Sequence, residues 1–319
     1  MNKSLKSKKH LFSIYHPTLY LIALIVAFFF FSPLLSCKDQ NKEGLRQKRK
    51  PERIVSLAPN ITEILFSIGA GDRIVGVTSF CNYPAEALSK TKIGGFTNPN
   101  LEIIASLKPD LVIGTPNVGN REVILNLKRA IPADVLLFQA ENLEDFYKMI
   151  EGIGKATHEE RNALNLNHRL RAEMERFRKK SSSQDRKKVL ISLSIKPVIS
   201  ATQHSFPGML ATIAGANLIP SLPKSQGQIN SYPIVSLEEI ITLNPEIIIQ
   251  TTMDSIDRAS KIHLKRYWQQ WSSIAAVQKQ NVYVISGDLI LRPSPRSVDG
   301  IELLFKLIHG ESEIAEAKK

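Results

Sequence analysis

Cysteine is nearly absent: the 319 residues hold two, Cys37 and Cys81. Cys37 closes an N-terminal apolar run, so the body keeps a single thiol and a disulfide framework is excluded. Signatures of catalysis are also missing. There is no Gly-x-Ser-x-Gly elbow and no Cys-x-x-Cys pair. Gly152-Ile-Gly154-Lys155 carries part of a phosphate-binding loop, but Ala156 stands where Ser or Thr would bind magnesium and the first glycine is missing. His158-Glu159-Glu160 lacks the second histidine of a zinc-protease helix. The histidines at 158, 168, 204, 263 and 309 are scattered, so a metal cage needs the fold to gather them. The chain therefore reads as a protein that catalyses no reaction and holds no metal of its own; a metal-dependent enzyme is the different-class alternative.

Charge is present but unevenly spread. Against 42 Lys and Arg stand 30 Asp and Glu, a net of +12. Four bases and no acid fall in residues 1–36, and six bases with two acids in 38–50, which leaves the remainder only mildly basic. Nucleic acid is not indicated. Hydrophobic residues make up 43% and charged residues 23%, the balance of a folded chain.

Lys3, Lys6, Lys8 and Lys9 precede an uncharged apolar run from Leu19 to Leu35, the order of a secretory signal peptide. Leu34-Leu35-Ser36-Cys37 resembles a bacterial lipobox, which implies lipidation of Cys37 and a location in the periplasm or cell envelope, anchored to the membrane. The alternative is an uncleaved anchor, but the run is 17 residues, short of the ~20 that span a bilayer comfortably, and Ser32-Pro33 interrupts it. The expected divisions are a signal peptide (1–36), a lipidated Cys with a basic tether (37–50), an N-terminal α/β lobe (51–156), an interlobe helix (157–181), a C-terminal α/β lobe (182–311) and a tail (312–319).

From Arg53 short apolar strands alternate with helical stretches, predicting an α/β fold of two similar lobes with small, mostly parallel sheets. Arg53–Leu57, Ile74–Val77, Leu111–Thr115 and Val135–Phe138 are strand candidates. Asn60 and Glu63 have the spacing of a capping box. The stretch Asn100–Thr115 aligns without a gap on Ser236–Thr251: Leu101/Leu237, Glu102/Glu238, Ile104/Ile240, Leu107/Leu243, Pro109/Pro245, Ile113/Ile249 and Thr115/Thr251 coincide. A weaker echo pairs Leu65–Asp72 with Leu210–Asn217, so the second half repeats the first. Between the halves, Thr157 and Glu160 suggest a second capping box. Ala163, Leu166, Leu170, Met174 and Phe177 then recur at helical spacing, predicting a rod long enough to join the lobes and leave a cleft between them.

Aromatic residues mark that cleft. Phe80 and Tyr83 follow the second strand, Phe96 follows Gly94-Gly95, and Tyr232 precedes Pro233 in the other half. Ligands of parallel α/β lobes sit outside the carboxyl ends of strands, and aromatic faces suit a flat, bulky one. Trp268 and Trp271 lie in a helical stretch and read as packing.

Arg53-Ile-Val-Ser-Leu-Ala-Pro-Asn-Ile-Thr-Glu63, Asn82-Tyr-Pro84, Gly94-Gly-Phe96, Asn100-Leu-Glu102 and Arg292-Pro-Ser-Pro-Arg296 together resemble the periplasmic cobalamin-binding proteins of ABC importers, within the class of siderophore, haem and cobalamin receptors whose lobes share a rigid helix. The resemblance implies a monomeric receptor that takes up cobalamin or a related corrinoid as transported ligand, without a cofactor, and delivers it to ABC permease and ATPase subunits. A ferric-siderophore or haem receptor is the same-class alternative. The resemblance to cobalamin binders also implies ligand contacts at Phe80, Phe96, Tyr232 and Asp288, and permease docking through Glu102 and Glu238; Tyr83 and Arg292 are further candidate ligand-binding residues. Thr115 and Leu193 stand where cobalamin binders carry aromatics.

Overall fold

The computed structural model describes residues 49–116, 121–221, 230–252 and 257–310, and from Lys50 onward the chain forms one compact unit. The N-terminal apolar run, Cys37, most of the basic segment and the tail lie outside the described residues. No helix among the described residues is long and apolar enough to cross a membrane.

The first sheet is built from β1 (Ile54–Ser56), β2 (Ile74–Val77), β3 (Thr91–Lys92), β4 (Leu111–Gly114) and β5 (Asp134–Leu137). Their order is β3-β2-β1-β4-β5 and every pairing is parallel. The helices α1 (Pro59–Ser67), α2 (Leu101–Ser106) and α3 (Arg121–Ala130) connect them. Because crossovers cover both faces, both faces are apolar. Ile54 and Ile113 pack towards α1, while Val55, Val112 and Leu57 form the opposite layer with Ile104, Ile124 and Leu127. Strand order reverses between β1 and β4, which opens a crevice at the carboxyl ends of the strands.

Two helices lead out of this lobe. α4 (Leu143–Thr157) stops at His158, whose φ of 56° turns the chain, and α5 (Glu160–Ser182) follows with 23 residues, roughly 35 Å of helix. The apolar stripe Ala163, Leu166, Leu170, Met174 and Phe177 is buried as its spacing requires and belongs to one core that continues into both lobes. The two expected capping boxes do not form. α1 starts at Pro59 behind Ala58, with no side-chain cap; proline's fixed φ and missing N–H suit the first helical position, so the helix opens one residue before Asn60. Thr157 is the last residue of α4, its hydroxyl donating to the Ile153 carbonyl at 2.8 Å. The Glu159 carboxylate instead joins Arg73 and Lys50, each at 2.8 Å, where the chain enters the body.

The second sheet contains β6 (Lys188–Ile195), β7 (Val198–Ser200), β8 (Asn217–Leu218), β9 (Ile247–Thr252) and β10 (Val282–Ser286). Strands β10, β9 and β6 run parallel; β8 pairs parallel with the start of β6 and β7 antiparallel with its end. Around them lie α6 (Phe206–Ile213), α7 (Leu237–Leu243), α8 (Arg258–Gln269), α9 (Ala275–Gln278) and the C-terminal α10 (Ser297–His309). Trp268 is fully buried and donates its indole N–H to Gln250 Oε1 at 3.1 Å; Trp271 packs against the same cluster.

The internal repeat is visible in the backbone. α2–β4 and α7–β9 are equivalent helix–strand units, and Lys108 and Asn244, at matching positions in the connections, have φ of 46° and 48°. Asn100 caps α2 by accepting from the Ile103 N–H at 3.0 Å, and Ser236 caps α7 by accepting from the Glu239 N–H at 3.1 Å. Removing either cap, Asn100→Ala or Ser236→Ala, is expected to cost about 1 kcal/mol. The two losses should add in the double variant, since the caps share no partner. Urea unfolding checks both expectations.

Candidate functional site

A cleft of about 500 Å³ opens where the first sheet's strands end. Each lining residue from this lobe lies just past a strand's carboxyl end. Pro59 and Asn60 follow β1, Phe80 follows β2, Phe96 and Thr97 follow β3, Thr115 follows β4, and Gln139 and Ala140 follow β5. The opposite wall is the segment after β10, with Gly287, Asp288, Leu291, Arg292 and Pro293. The turn that carries Phe96 needs glycine at 94, where φ is 95° and a side chain would press on the Asn98 carbonyl.

Two polar links join the walls. Asn82, after β2, donates its carboxamide N–H to Asp288 Oδ2 at 2.9 Å and accepts at Oδ1 from Arg292 Nη1 at 3.1 Å. Arg292 and Asp288 are themselves paired at 2.7 Å. Beyond them, Arg296 makes two bonds to Glu63 of α1, at 2.9 and 2.6 Å. Burial alone would lower the Arg296 pKa, but the hydrogen bond and negative charge of Glu63 outweigh it and hold the pKa above its ordinary value.

The structure gathers Phe80, Phe96, Asp288 and Arg292 in the cleft. Tyr83 and Tyr232 are not among the residues that line it. Tyr83 lies under the Arg296 guanidinium, 4.1 Å from ring centre to cation. Tyr232 is 43% exposed in the second lobe, six residues before Glu238 as Phe96 is six before Glu102, and desolvation raises the pKa of its phenol. Leu193 packs against the core. Glu102 and Glu238 are exposed in the first turns of α2 and α7. Sequence reasoning missed Asn60, Thr97, Gln139, Leu291 and Pro293 as lining residues. The rule that ligands sit past strand ends could have found Gln139, two residues beyond β5. Among the described residues, no group of three or more His, Cys, Asp or Glu could hold a metal ion.

Residues 54–289 match the family described as periplasmic binding protein. The chain belongs to that family. The uncharacterized ABC transporter substrate-binding lipoprotein YvrC of Bacillus subtilis is 31% identical over 280 residues, covering 86% of this chain and 85% of the relative. The vitamin B12-binding protein of Vibrio cholerae is 30% identical over 251 residues, covering 79% and 87%. A crystal structure of the periplasmic vitamin B12 binding protein of Vibrio cholerae superimposes with a TM-score of 0.66 at 27% identity, over 84% of this chain and 99% of that one. A periplasmic heme binding protein from Pseudomonas aeruginosa shares the fold, with a TM-score of 0.72 at 20% identity over 82% of this chain and 94% of that one. This periplasmic binding protein is thus of the ABC transporter type, and its relatives are substrate-binding transport proteins rather than enzymes.

Proposed function

We propose that this periplasmic binding protein captures cobalamin or a related corrinoid between its lobes and delivers it to an ABC permease, held at the membrane by a lipid on Cys37. The character of the cleft wall carries the ligand assignment. Phe80, Phe96, Leu291 and two prolines supply apolar surface, while Asn60, Thr97, Thr115 and Gln139 supply neutral polar groups. The cation in the lining, Arg292, is balanced by Asp288 at 2.7 Å. Such a wall suits a flat macrocycle fringed with neutral carboxamides. A macrocycle with two carboxylates meets no unbalanced cation among the described lining residues, and none of those is a His, Tyr, Cys or Met able to ligate haem iron. The similarity to the vitamin B12-binding protein of Vibrio cholerae, in sequence and in solved structure, supports the same reading.

Titration of the purified protein with cyanocobalamin, haemin and ferric siderophores, by calorimetry, tests it. Saturable binding of cyanocobalamin alone is expected; tight haemin binding without a cyanocobalamin response would replace the corrinoid with haem. Phe96→Ala should weaken cyanocobalamin about tenfold, the worth of one aromatic face. Trp fluorescence quenching gives an independent reading of the same constants.

A further inference from the structure

Basic residues gather at one end of the second lobe. From Arg176 to Lys188 the chain carries seven Lys or Arg and one acid, Asp185. Folding closes this stretch into a single surface. The Ser181 hydroxyl donates to the Ile213 carbonyl at 2.8 Å, and the Asn217 N–H donates to the Lys187 carbonyl at 2.9 Å, so the end of α5 lies beside the start of β6. Arg176 and Arg178 are paired along the helix with Glu173 and Glu175, at 2.7 and 3.2 Å. The excess charge rests on Lys179, Lys180, Arg186, Lys187 and Lys188, of which all but Lys187 are exposed. Against these stand Asp185 and Glu246, whose carboxylate accepts from the Lys188 backbone N–H at 3.0 Å. The negative end of a helix favours bases in its last turn, which accounts for Lys179 and Lys180. It does not account for Arg186, Lys187 and Lys188, which lie beyond the helix. Like charges held this close repel one another, and an external anionic surface relieves the repulsion.

We propose that this surface binds the headgroups of an anionic phospholipid bilayer, as a second membrane contact beside the lipid on Cys37. Clusters of this size attract such headgroups. The inference rests on the lipid-anchored reading for the presence of a membrane, and two observations favour a bilayer over other polyanions. The first is reach. The chain enters the body at Lys50, 2.8 Å from Glu159 at the start of α5, and α5 runs roughly 35 Å from there to the basic end. Thirteen residue steps separate Cys37 from Lys50, and at most ~3.5 Å each they extend to about 45 Å, so one membrane surface is within range of both. The second is the lack of a stacking platform. The aromatic of the basic stretch, Phe177, is buried, which leaves nothing for unpaired nucleobases to stack on. The contact also has a direction. The cleft wall follows the carboxyl end of β10, whereas the bases gather at the amino end of β6, which runs parallel to it through β9. Glu238 opens α7, and the far end of α7 leads into Glu246 beside Lys188. A body seated on lipid in this way keeps its cleft and the second lobe's glutamate clear of the headgroups.

Co-sedimentation of residues 37–319, carrying Cys37→Ser so that no lipid contributes, with vesicles of phosphatidylcholine or of phosphatidylglycerol tests the contact. Binding to phosphatidylglycerol alone is expected, with release at high salt. Lys179→Gln, Arg186→Gln and Lys187→Gln together should weaken it roughly 100-fold, about fivefold for each base. Lys180 is kept in that variant because its ammonium packs over the Phe305 ring at 4.0 Å. Lys128→Gln with Arg129→Gln, exposed bases at the end of α3 in the first lobe, should change binding little. Replacing Lys42, Arg46, Lys48 and Arg49 by Gln removes the tether's share and should leave the effect of the triple variant in place. Acetylation of the unaltered surface gives a reading that needs no substitution there: phosphatidylglycerol vesicles should protect Lys179 and Lys187 and leave Lys128 reactive. Equal binding by the parent chain and the triple variant, equal binding to the two lipids, or equal protection of the three lysines overturns the proposal. Tighter binding of duplex DNA than of phosphatidylglycerol vesicles at the same salt overturns it too. Incorporation of labelled palmitate at Cys37 in cells decides the anchor separately, so the two readings fail independently.

Discussion

Replacing Arg296 by Met is expected to destabilise the protein by about 3 kcal/mol, the largest loss foreseen for a single substitution at the cleft. Glu63 is 2% exposed, so its carboxylate has exchanged water for the two Arg296 bonds at 2.9 and 2.6 Å. Removing the guanidinium leaves a desolvated charge, whose cost exceeds the net worth of the intact pair. The value sits at the low end of the range for buried pairs because Arg296 keeps 17% of its side chain in solvent and water can reach the gap. For a body of this size the melting temperature should fall by roughly 6–12 °C. The companion variant is the more informative. Glu63→Leu with Arg296→Met removes both charges and should regain most of the loss, since a pair replaced by apolar side chains costs little. Equal melting temperatures for the single and double variants would show that the ion pair is not the source. Arg296→Lys should fall between, because one ammonium cannot reproduce the two-pronged geometry or sit flat on Tyr83.

That pair also shows where sequence reading reaches its limit. Glu63 stands three residues after Asn60, the spacing of a local cap, and the local pattern offers nothing to suggest a partner 233 residues away. The proline before Asn60 was the signal that the helix starts early and leaves Glu63 free for a distant arginine. Thr157 and Glu160 misled for a related reason: the same four residues also fit the end of α4, and only the turn at His158 separates the two helices. By contrast, features that rest on periodicity were legible. The stripe from Ala163 to Phe177 is buried residue for residue, and Ile74–Val77 is a strand with the bounds expected. The repeat was legible because equivalent backbone demands the same residues twice, a polar cap at Asn100 and Ser236 and a buried isoleucine at Ile113 and Ile249. The cleft lay between these cases. Phe80 and Phe96 stood out as aromatics in loops, whereas Asn82, Asn60 and Gln139 are ordinary polar residues whose role depends on what folding brings opposite them.

The repeat leads to the second large effect. Glu102→Ala combined with Glu238→Ala is expected to abolish ligand uptake through the permease while cyanocobalamin affinity stays within about twofold, a shift of ~0.4 kcal/mol. The docking role proposed for these glutamates rests on their resemblance to the paired acids of cobalamin receptors and on their placement. Each is exposed in the first turn of its helix, one in either lobe, and neither is among the residues lining the cleft. Two carboxylates held at a fixed separation can engage two arginine sites at once. Charge-assisted pairs set the register of such a complex and speed its formation. Each single variant should therefore lose most of the uptake rate, because one pair alone leaves the second lobe unseated, and raising salt should mimic the substitutions in part. A purely local role makes a different forecast. An acid in the first turn of a helix stabilises by about 0.3–1 kcal/mol through the dipole, so alanine would then lower the melting temperature slightly and leave uptake intact. Glu102→Gln and Glu238→Gln keep the side chain's size while removing its charge, and they should reproduce the uptake defect if charge is what the permease reads. Uptake of labelled cyanocobalamin into proteoliposomes carrying the permease and ATPase, measured beside equilibrium binding, separates the possibilities: parallel loss of binding and uptake would sink the docking role.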